Sequence, residues 1–299
     1  MKLGYIGLGK MGFNMVERLL EKGHEVVAYD RSPESVKAIA KGGARPGGSL
    51  REMVQALPLP RLVWIMVPYE AVDAVLAELV PLLAGGDRVI DGGNSPYKES
   101  VRRAGELERK DIDFLDAGVS GGPKGARTGA CIMVGGKRGV FEKLEQLFRD
   151  LSVAKGYAYL GPAGAGHFVK MVHNGIEYGM MQALAEGFTV LKRSPFSLDL
   201  AAVADLYDHR SVIESRLVGW LQEAYRQFGP ELKDISGSAA QSGEGMWTVE
   251  AAKELSIPVP IIEGSLEFRL RSQKEPSYTG KIISALRHQF GGHEATKKK

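Results

Sequence analysis

Lys170, His173, Asn174, Glu177 and Tyr178 stand at i, i+3, i+4, i+7 and i+8 in a stretch that begins near Gly164, so a helix there would carry all of them on one face. Val169, Val172, Ile176 and Met180 occupy the remaining sides, which makes the stripe polar on a helix that otherwise reads as buried. Buried polar groups need hydrogen-bond partners, and a substrate rich in hydroxyls is one such partner. The same spacing also suits a solvent-facing stripe of mutually favourable Lys, His and Glu charges. A position between a nucleotide-binding sheet and a helical domain would favour the binding reading, because ligand sites prefer domain interfaces.

The second constellation is GLGKMG at 7–12, which follows an apolar run and opens an amphipathic one. In that setting the first glycine permits a tight turn, the second lets a pyrophosphate approach the backbone, and the third allows close helix–strand packing. Free N–H groups at the helix start then face the phosphates. Asp30 ends the next apolar run, where a carboxylate would accept hydrogen bonds from the adenosine ribose and repel a 2′-phosphate, favouring NAD over NADP. Arg31 either pairs with a 2′-phosphate, stacks on adenine, or is a solvated turn residue, so a preference rather than an exclusion is expected. The expected cofactor set is Gly7, Leu8, Gly9, Lys10, Met11, Gly12, Asp30, Arg31, Ser32, Val67, Pro68 and Asn94.

Two glycine-rich segments complete the candidates. DGGNS at 91–95 and GVSGGP at 118–123 each follow a strand pattern, so both read as loops at the carboxyl edge of a sheet, where doubly wound folds bind ligands. Asn94 and Ser120 offer hydrogen bonds, and the glycine N–H groups form a concavity suited to a carboxylate, or else both segments are plain turns.

The elements that must position these residues alternate in type. Residues 3–7, 25–30, 62–67, 88–91, 112–116, 130–134 and 157–160 read as strands, with helices near 10–22, 33–41, 69–83, 96–110 and 138–150. This predicts an α/β fold: a Rossmann-like, mainly parallel doubly wound sheet over 1–163 as the dinucleotide-binding domain. From 164 to 299 strand signals vanish, predicting an all-α domain for substrate binding and oligomerisation that opens on a helix of about 30 residues, about 45 Å long.

A chain of 299 residues with 44% hydrophobic content accommodates two such domains. The net charge of +3 balances 39 basic against 36 acidic residues, giving no support for a nucleic-acid or membrane partner. The one cysteine, Cys131, reads as a buried structural thiol in a reducing compartment, and no Cys/His cluster has zinc-like spacing, so no metal is expected. With neither a secretory leader nor an apolar run of membrane-spanning length, the protein is expected to be cytoplasmic, its lysine end at 297–299 frayed.

With GAGHFVKMVHNGIEYG at 164–179 and GEGMWT at 243–248 added to GLGKMG, DGGNS and GVSGGPKGA, the chain resembles the 6-phosphogluconate dehydrogenase family, within the β-hydroxyacid dehydrogenases, nearly end to end. The 164–179 block is the specific part, since non-decarboxylating relatives such as 3-hydroxyisobutyrate dehydrogenase share its lysine and asparagine without the full set. The resemblance implies oxidation and decarboxylation of 6-phosphogluconate to ribulose 5-phosphate in the pentose phosphate pathway, without a metal. It assigns Lys170 as general base and Glu177 as general acid, with His173 and Asn174 completing the catalytic set. Asn94, Ser120, Gly121, Gly122, His173 and Asn174 resemble the binders of the sugar acid, and Tyr178 and Arg269 resemble phosphate contacts. Arg287 and His293 match a pair given to the neighbouring subunit's site, implying a homo-oligomer, dimer or tetramer.

Departures from longer family members are Ser242 and Glu244 where a lysine and a threonine help hold the phosphate, a single copy of the helical region, and Asp30 in place of an uncharged residue of NADP users. The mechanism implied needs Lys170 neutral at the operating pH, well below the ordinary lysine value of about 10.4. The rival readings are a β-hydroxyacid dehydrogenase that stops after hydride transfer and a cofactor-sensing binding protein on the same fold.

Overall fold

In the computed structural model, which describes residues 1–295, the alternating runs become an eight-stranded sheet flanked by helices, and the lysine end at 297–299 lies outside the described residues. In chain order the elements are β1 (Lys2–Ile6), α1 (Lys10–Glu21), β2 (Glu25–Tyr29), α2 (Pro33–Ala40), β3 (Arg45–Pro46), α3 (Leu50–Gln55), β4 (Leu62–Ile65) and α4 (Tyr69–Leu79). There follow β5 (Arg88–Asp91), α5 (Tyr97–Glu108), β6 (Asp113–Ser120), α6 (Gly122–Thr128), β7 (Ala130–Gly136), α7 (Arg138–Leu151) and β8 (Ser152–Gly161). The strand order is β3-β2-β1-β4-β5-β6-β7-β8, parallel throughout except where β6 meets β7. The order reverses between β1 and β4, and the turns after these strands are where this topology receives a ligand.

The strands read as apolar runs because both faces of the sheet are covered. Leu62 and Trp64 of β4 join a core with Met15 and Leu19 of α1 and Phe148 of α7, while Val63 and Ile65 join an opposite core with Met53 of α3 and Val72 of α4. Alternation also corrects the expectation for Cys131: Ala130 and Ile132 point into the core, so the intervening thiol is exposed.

A long helix, α8 (Ala165–Arg193), leads into α9 (Leu200–Tyr207), α10 (Arg216–Phe228), α11 (Glu244–Glu254), α12 (Pro260–Ser272) and α13 (Tyr278–Gly291). The chain divides into two units at Met171 and Val172, inside α8. The first turns of α8 belong to the sheet unit because the buried Asp116 carboxylate of β6 accepts from the backbone N–H groups of Gly164 at 2.7 Å and His167 at 2.8 Å, capping the helix start. The helical unit has its own core around Phe188, Leu221, Tyr225, Ile283 and Leu286.

Helical phase corrects a second expectation. Val169, Ile176 and Met180, expected to bury the apolar sides of α8, are 38%, 53% and 44% exposed. Lys170 and Tyr178 of the polar stripe are the buried ones. Among the described residues no helix is long and apolar enough to cross a membrane.

Candidate active site

Gly7 adopts φ +99°, a conformation side chains rarely take, and a Cβ on it would stand 2.3 Å from the Met66 carbonyl oxygen. A Cβ on Gly12 would stand 2.0 Å from the Gly7 carbonyl oxygen, so α1 can start this close to β1 only with glycine there. Gly9 differs: it is exposed and nothing lies within 4 Å of where its Cβ would be. The N-cap residue of α1, Gly9, supplies no side-chain cap, an arrangement in which a helix start can receive an anion. These are the features a pyrophosphate needs, and the turn fits a dinucleotide.

Asp30 holds this turn together. Its carboxylate accepts from the backbone N–H of Leu8 at 2.6 Å and of Ser32 at 2.7 Å, tying the turn after β1 to the turn after β2. Each oxygen keeps a lone pair for a further donor such as a ribose hydroxyl. Ser32 caps α2 by accepting from the N–H of Ser35, and Arg31 is exposed beside it. The Val67 side chain adjoins Gly7 and its carbonyl adjoins Gly93, so the turns after β1, β4 and β5 meet, with Pro68 as the N-cap of α4.

The 91–95 loop is anchored by residues the sequence reading did not single out. The buried Asp91 carboxylate accepts from the Gly93 N–H at 2.9 Å, the Ser95 hydroxyl at 2.8 Å and Arg103 Nη1 at 3.1 Å. Arg103, 2% exposed, also donates to Ser95 Oγ at 2.7 Å and to Asp73 at 2.8 Å. Asn94 sits between these anchors at φ 59°, so its backbone is held where few side chains rest unaided. The available signal was an arginine on the same helical stripe as Ser100 and Leu107 of α5, which are both buried.

A correction applies to 118–123. Gly118, Val119 and Ser120 continue β6, and Gly122 opens α6, so only Gly121, at φ 128°, is a turn residue. The strand's alternation sets Asp116, Gly118 and Ser120 on one side. Asp116 caps α8, and a Cβ on Gly118 would stand 2.3 Å from Lys170 Cβ. Lys170 is therefore seated on the backbone of β6 and is 7% exposed. His167, one turn earlier, is locked by a 2.7 Å hydrogen bond between its Nδ1 and Ser100 Oγ. The positioning roles of Asp116, Gly118 and His167 are not legible in the sequence: Asp116 lies in no motif, and Gly118 and His167 fall in segments whose spacing does not reveal what they pack against.

In the helical unit, α8 continues through His173, Asn174, Glu177 and Tyr178. His173 Nδ1 lies 2.9 Å from Asn174 Oδ1 and 4.0 Å from Glu177 Oε2. The Tyr178 ring carries the Arg269 guanidinium 3.4 Å from its centroid, and the Tyr178 hydroxyl accepts from the Ser242 N–H at 3.3 Å. Arg269 is 2% exposed, and burial, partly offset by Tyr178, brings its guanidinium down to about 10. Burial also lowers Arg287, which is within charge range of Arg269, Tyr178, Glu177 and Glu244 of its own chain. A buried guanidinium on the phenol ring, with a second buried cation in charge range, suits an anion.

Arg287 is the first of the two residues expected to serve the neighbouring subunit's site. It is buried in its own chain's cluster, whereas His293 is exposed past the end of α13, its ring against Phe290. Within the described chain, Arg287 is in charge range of Arg269. Gly292 closes α13 in the left-handed conformation, and the Ala295 carbonyl accepts from Ser236 N at 2.6 Å.

The pattern of residues matches known proteins over almost its full length. Residues 2–161 match the NAD binding domain of 6-phosphogluconate dehydrogenase, and residues 166–282 match the C-terminal domain of 6-phosphogluconate dehydrogenase. A Haloferax volcanii protein described as an NAD(+)-dependent, decarboxylating 6-phosphogluconate dehydrogenase is 44% identical over 300 residues, covering 100% of this chain and 99% of its own. The Bacillus subtilis protein YqeC is 49% identical over 298 residues and covers both chains completely. Among solved structures, the 6-phosphogluconate dehydrogenase of Plasmodium falciparum, determined with NADP+ and with 6-phosphogluconate, superposes with a TM-score of 0.80 at 27% identity, covering 97% of this chain and 70% of its own. The chain belongs to the 6-phosphogluconate dehydrogenase family and is an NAD(P)-dependent oxidoreductase.

Proposed function

We propose that the chain oxidises and decarboxylates 6-phosphogluconate to ribulose 5-phosphate and CO2, with NAD preferred over NADP. The observation that carries the reading is Lys170: a buried lysine stem seated on Gly118 of β6, on the same helix as Glu177. A bound nicotinamide supplies the acceptor for the hydride from C3 of the substrate. Lys170 takes the proton from the 3-hydroxyl, then donates a hydrogen bond to the resulting ketone. That carbonyl, beta to the carboxylate, draws the electron pair released as CO2 leaves, and Glu177 protonates C1 of the enediol. Asn94, Ser120 and the amides of Gly121 and Gly122 hold the sugar acid with His173 and Asn174, while Arg269, Arg287 and Tyr178 hold the phosphate.

The NAD preference rests on Asp30, whose carboxylate at the end of β2 opposes a 2′-phosphate. The protein is further read as a homo-oligomer. An apolar groove of about 680 Å³ between Met180, Leu184 and Val190 of α8 and the segment around Val212 and Ile213 opens on a chain surface where Val190 is 71% exposed. The deciding experiment supplies purified protein with 6-phosphogluconate and NAD and measures NADH and CO2 together. Equal yields are expected; NADH without CO2 would make the chain a simple hydroxyacid dehydrogenase, and neither product would end the catalytic reading.

A further inference from the structure

An acid stands where the phosphate is read to bind. Glu244 opens α11 and is 6% exposed. The residue after it, Gly245, lies so close to Tyr178 that a Cβ there would be 2.5 Å from Cε2 of the ring. Arg269 stacks on that same ring, and Ser242, two residues before Glu244, donates its N–H to the Tyr178 hydroxyl. The start of α11, Tyr178 of α8 and Arg269 of α12 thus form one packed cluster, and the Glu244 charge acts on both Arg269 and Arg287.

Two buried guanidiniums suit a phosphate dianion but are costly when nothing compensates them. Glu177 also reaches them, yet its side chain is 23% exposed and lies 4.0 Å from His173. Glu244 is the more deeply buried carboxylate of the two, and its charge offsets both cations, acting on Arg287 more strongly than Glu177 does. The same charge must repel an arriving phosphate.

We propose that Glu244 is the internal counter-anion of this pocket: it stabilises the empty site and competes with the substrate phosphate for Arg269 and Arg287, thereby setting substrate affinity. This rests on the reading that the cluster takes the phosphate of 6-phosphogluconate. Its signature is opposite effects on two states. Replacing Glu244 with glutamine destabilises the ligand-free protein and tightens phosphate binding, whereas a residue that only supports the fold would weaken both when lost.

The test uses the full chain as wild type, Glu244→Gln and the charge-keeping Glu244→Asp, followed by thermal unfolding and by calorimetric titration with inorganic phosphate, 6-phosphogluconate and unphosphorylated gluconate. Glu244→Gln is expected to lower the Tm without ligand and to lower the Kd for phosphate and 6-phosphogluconate roughly tenfold, as for loss of a nearby unit charge at intermediate dielectric. Its gluconate Kd stays unchanged, and Glu244→Asp binds phosphate like the wild type. If Glu244→Gln does not fold alone, inorganic phosphate is expected to restore cooperative unfolding, and failure to do so overturns the proposal. An unchanged or weaker phosphate affinity in Glu244→Gln overturns the inference alone. A wild type that binds 6-phosphogluconate no better than gluconate overturns it together with the phosphate reading.

Discussion

One added methyl group tests how Lys170 is placed. In Gly118→Ala the new Cβ would stand 2.3 Å from Lys170 Cβ, 2.9 Å from its Cγ and 3.1 Å from the Gly166 carbonyl oxygen. Carbon atoms rest at about 3.5–4.0 Å, so strand and helix must separate by roughly 1.2–1.7 Å. Neither yields readily. Gly118 is in register with Met133 of β7, and α8 is tied to Asp116 through two backbone amides. Gly166 blocks a slide, since a Cβ there would already lie 2.4 Å from the Met133 carbonyl oxygen. Overpacking of this kind costs about 1–3 kcal/mol, a Tm loss on the order of 2–10 °C for a chain of this size. Misplacing an acting group by about 1 Å costs on the order of 100-fold in rate. The expected result is therefore kcat for 6-phosphogluconate reduced about 100-fold with NAD affinity, read by NADH fluorescence titration, close to wild type. A Gly118→Ala enzyme with wild-type Tm and kcat within about threefold would show that this close seating does not place Lys170.

Lys170→Met removes the base and should lower kcat by about 10²–10⁴-fold with NAD binding retained; turnover near wild type would refute the mechanism. Asp30→Asn should move the kcat/KM ratio toward NADP, although the lost clamp on Leu8 and Ser32 also weakens NAD, so an unchanged ratio is the contrary outcome. Arg103→Met leaves the buried Asp91 without its guanidinium, which by analogy with other broken buried pairs costs about 3–5 kcal/mol; calorimetric unfolding with a Tm unchanged from wild type would dismiss the anchor. Because Arg287 lies in its own chain's cluster, mixing Arg287→Met chains with Lys170→Met chains should restore no activity, and restored turnover in hybrids verified by native mass spectrometry would assign Arg287 to the partner's site.

Most of the sheet unit is legible from periodicity, because a parallel strand covered on both faces must be apolar at nearly every position, as 62–65 are. The elements that escape are those where periodicity has no length in which to register. β3 is two residues, Arg45 and Pro46, and α3 spans six. α6 escapes for another reason: GPKGART combines glycines with a proline, yet the proline lies in the first turn, where its missing N–H costs nothing, and the helix forms beyond Gly121. Spacing along α8 places its polar residues in order but carries no information on which side meets a partner. That depends on the docking of its first turn by Asp116, a residue 54 positions before Lys170 in the chain.

The end of the chain shows the same limit in sharper form. A motif assigns a chemical group to Arg287 without saying which copy of the chain it serves. Packing sets where Arg287 lies in its own chain: a Cβ on Gly280 would stand 1.8 Å from the Gly237 carbonyl oxygen, so the start of α13 sits tightly on that backbone. Seven residues on, about two turns, Arg287 falls on nearly the same side of the helix and is buried, while the cap at Gly292 turns the chain so that Ala295 reaches Ser236. Arg287 thereby joins Arg269 as a second buried cation of one chain. The need for a compensating carboxylate then arises within that chain, where Glu244 and Glu177 are both in charge range of the two cations.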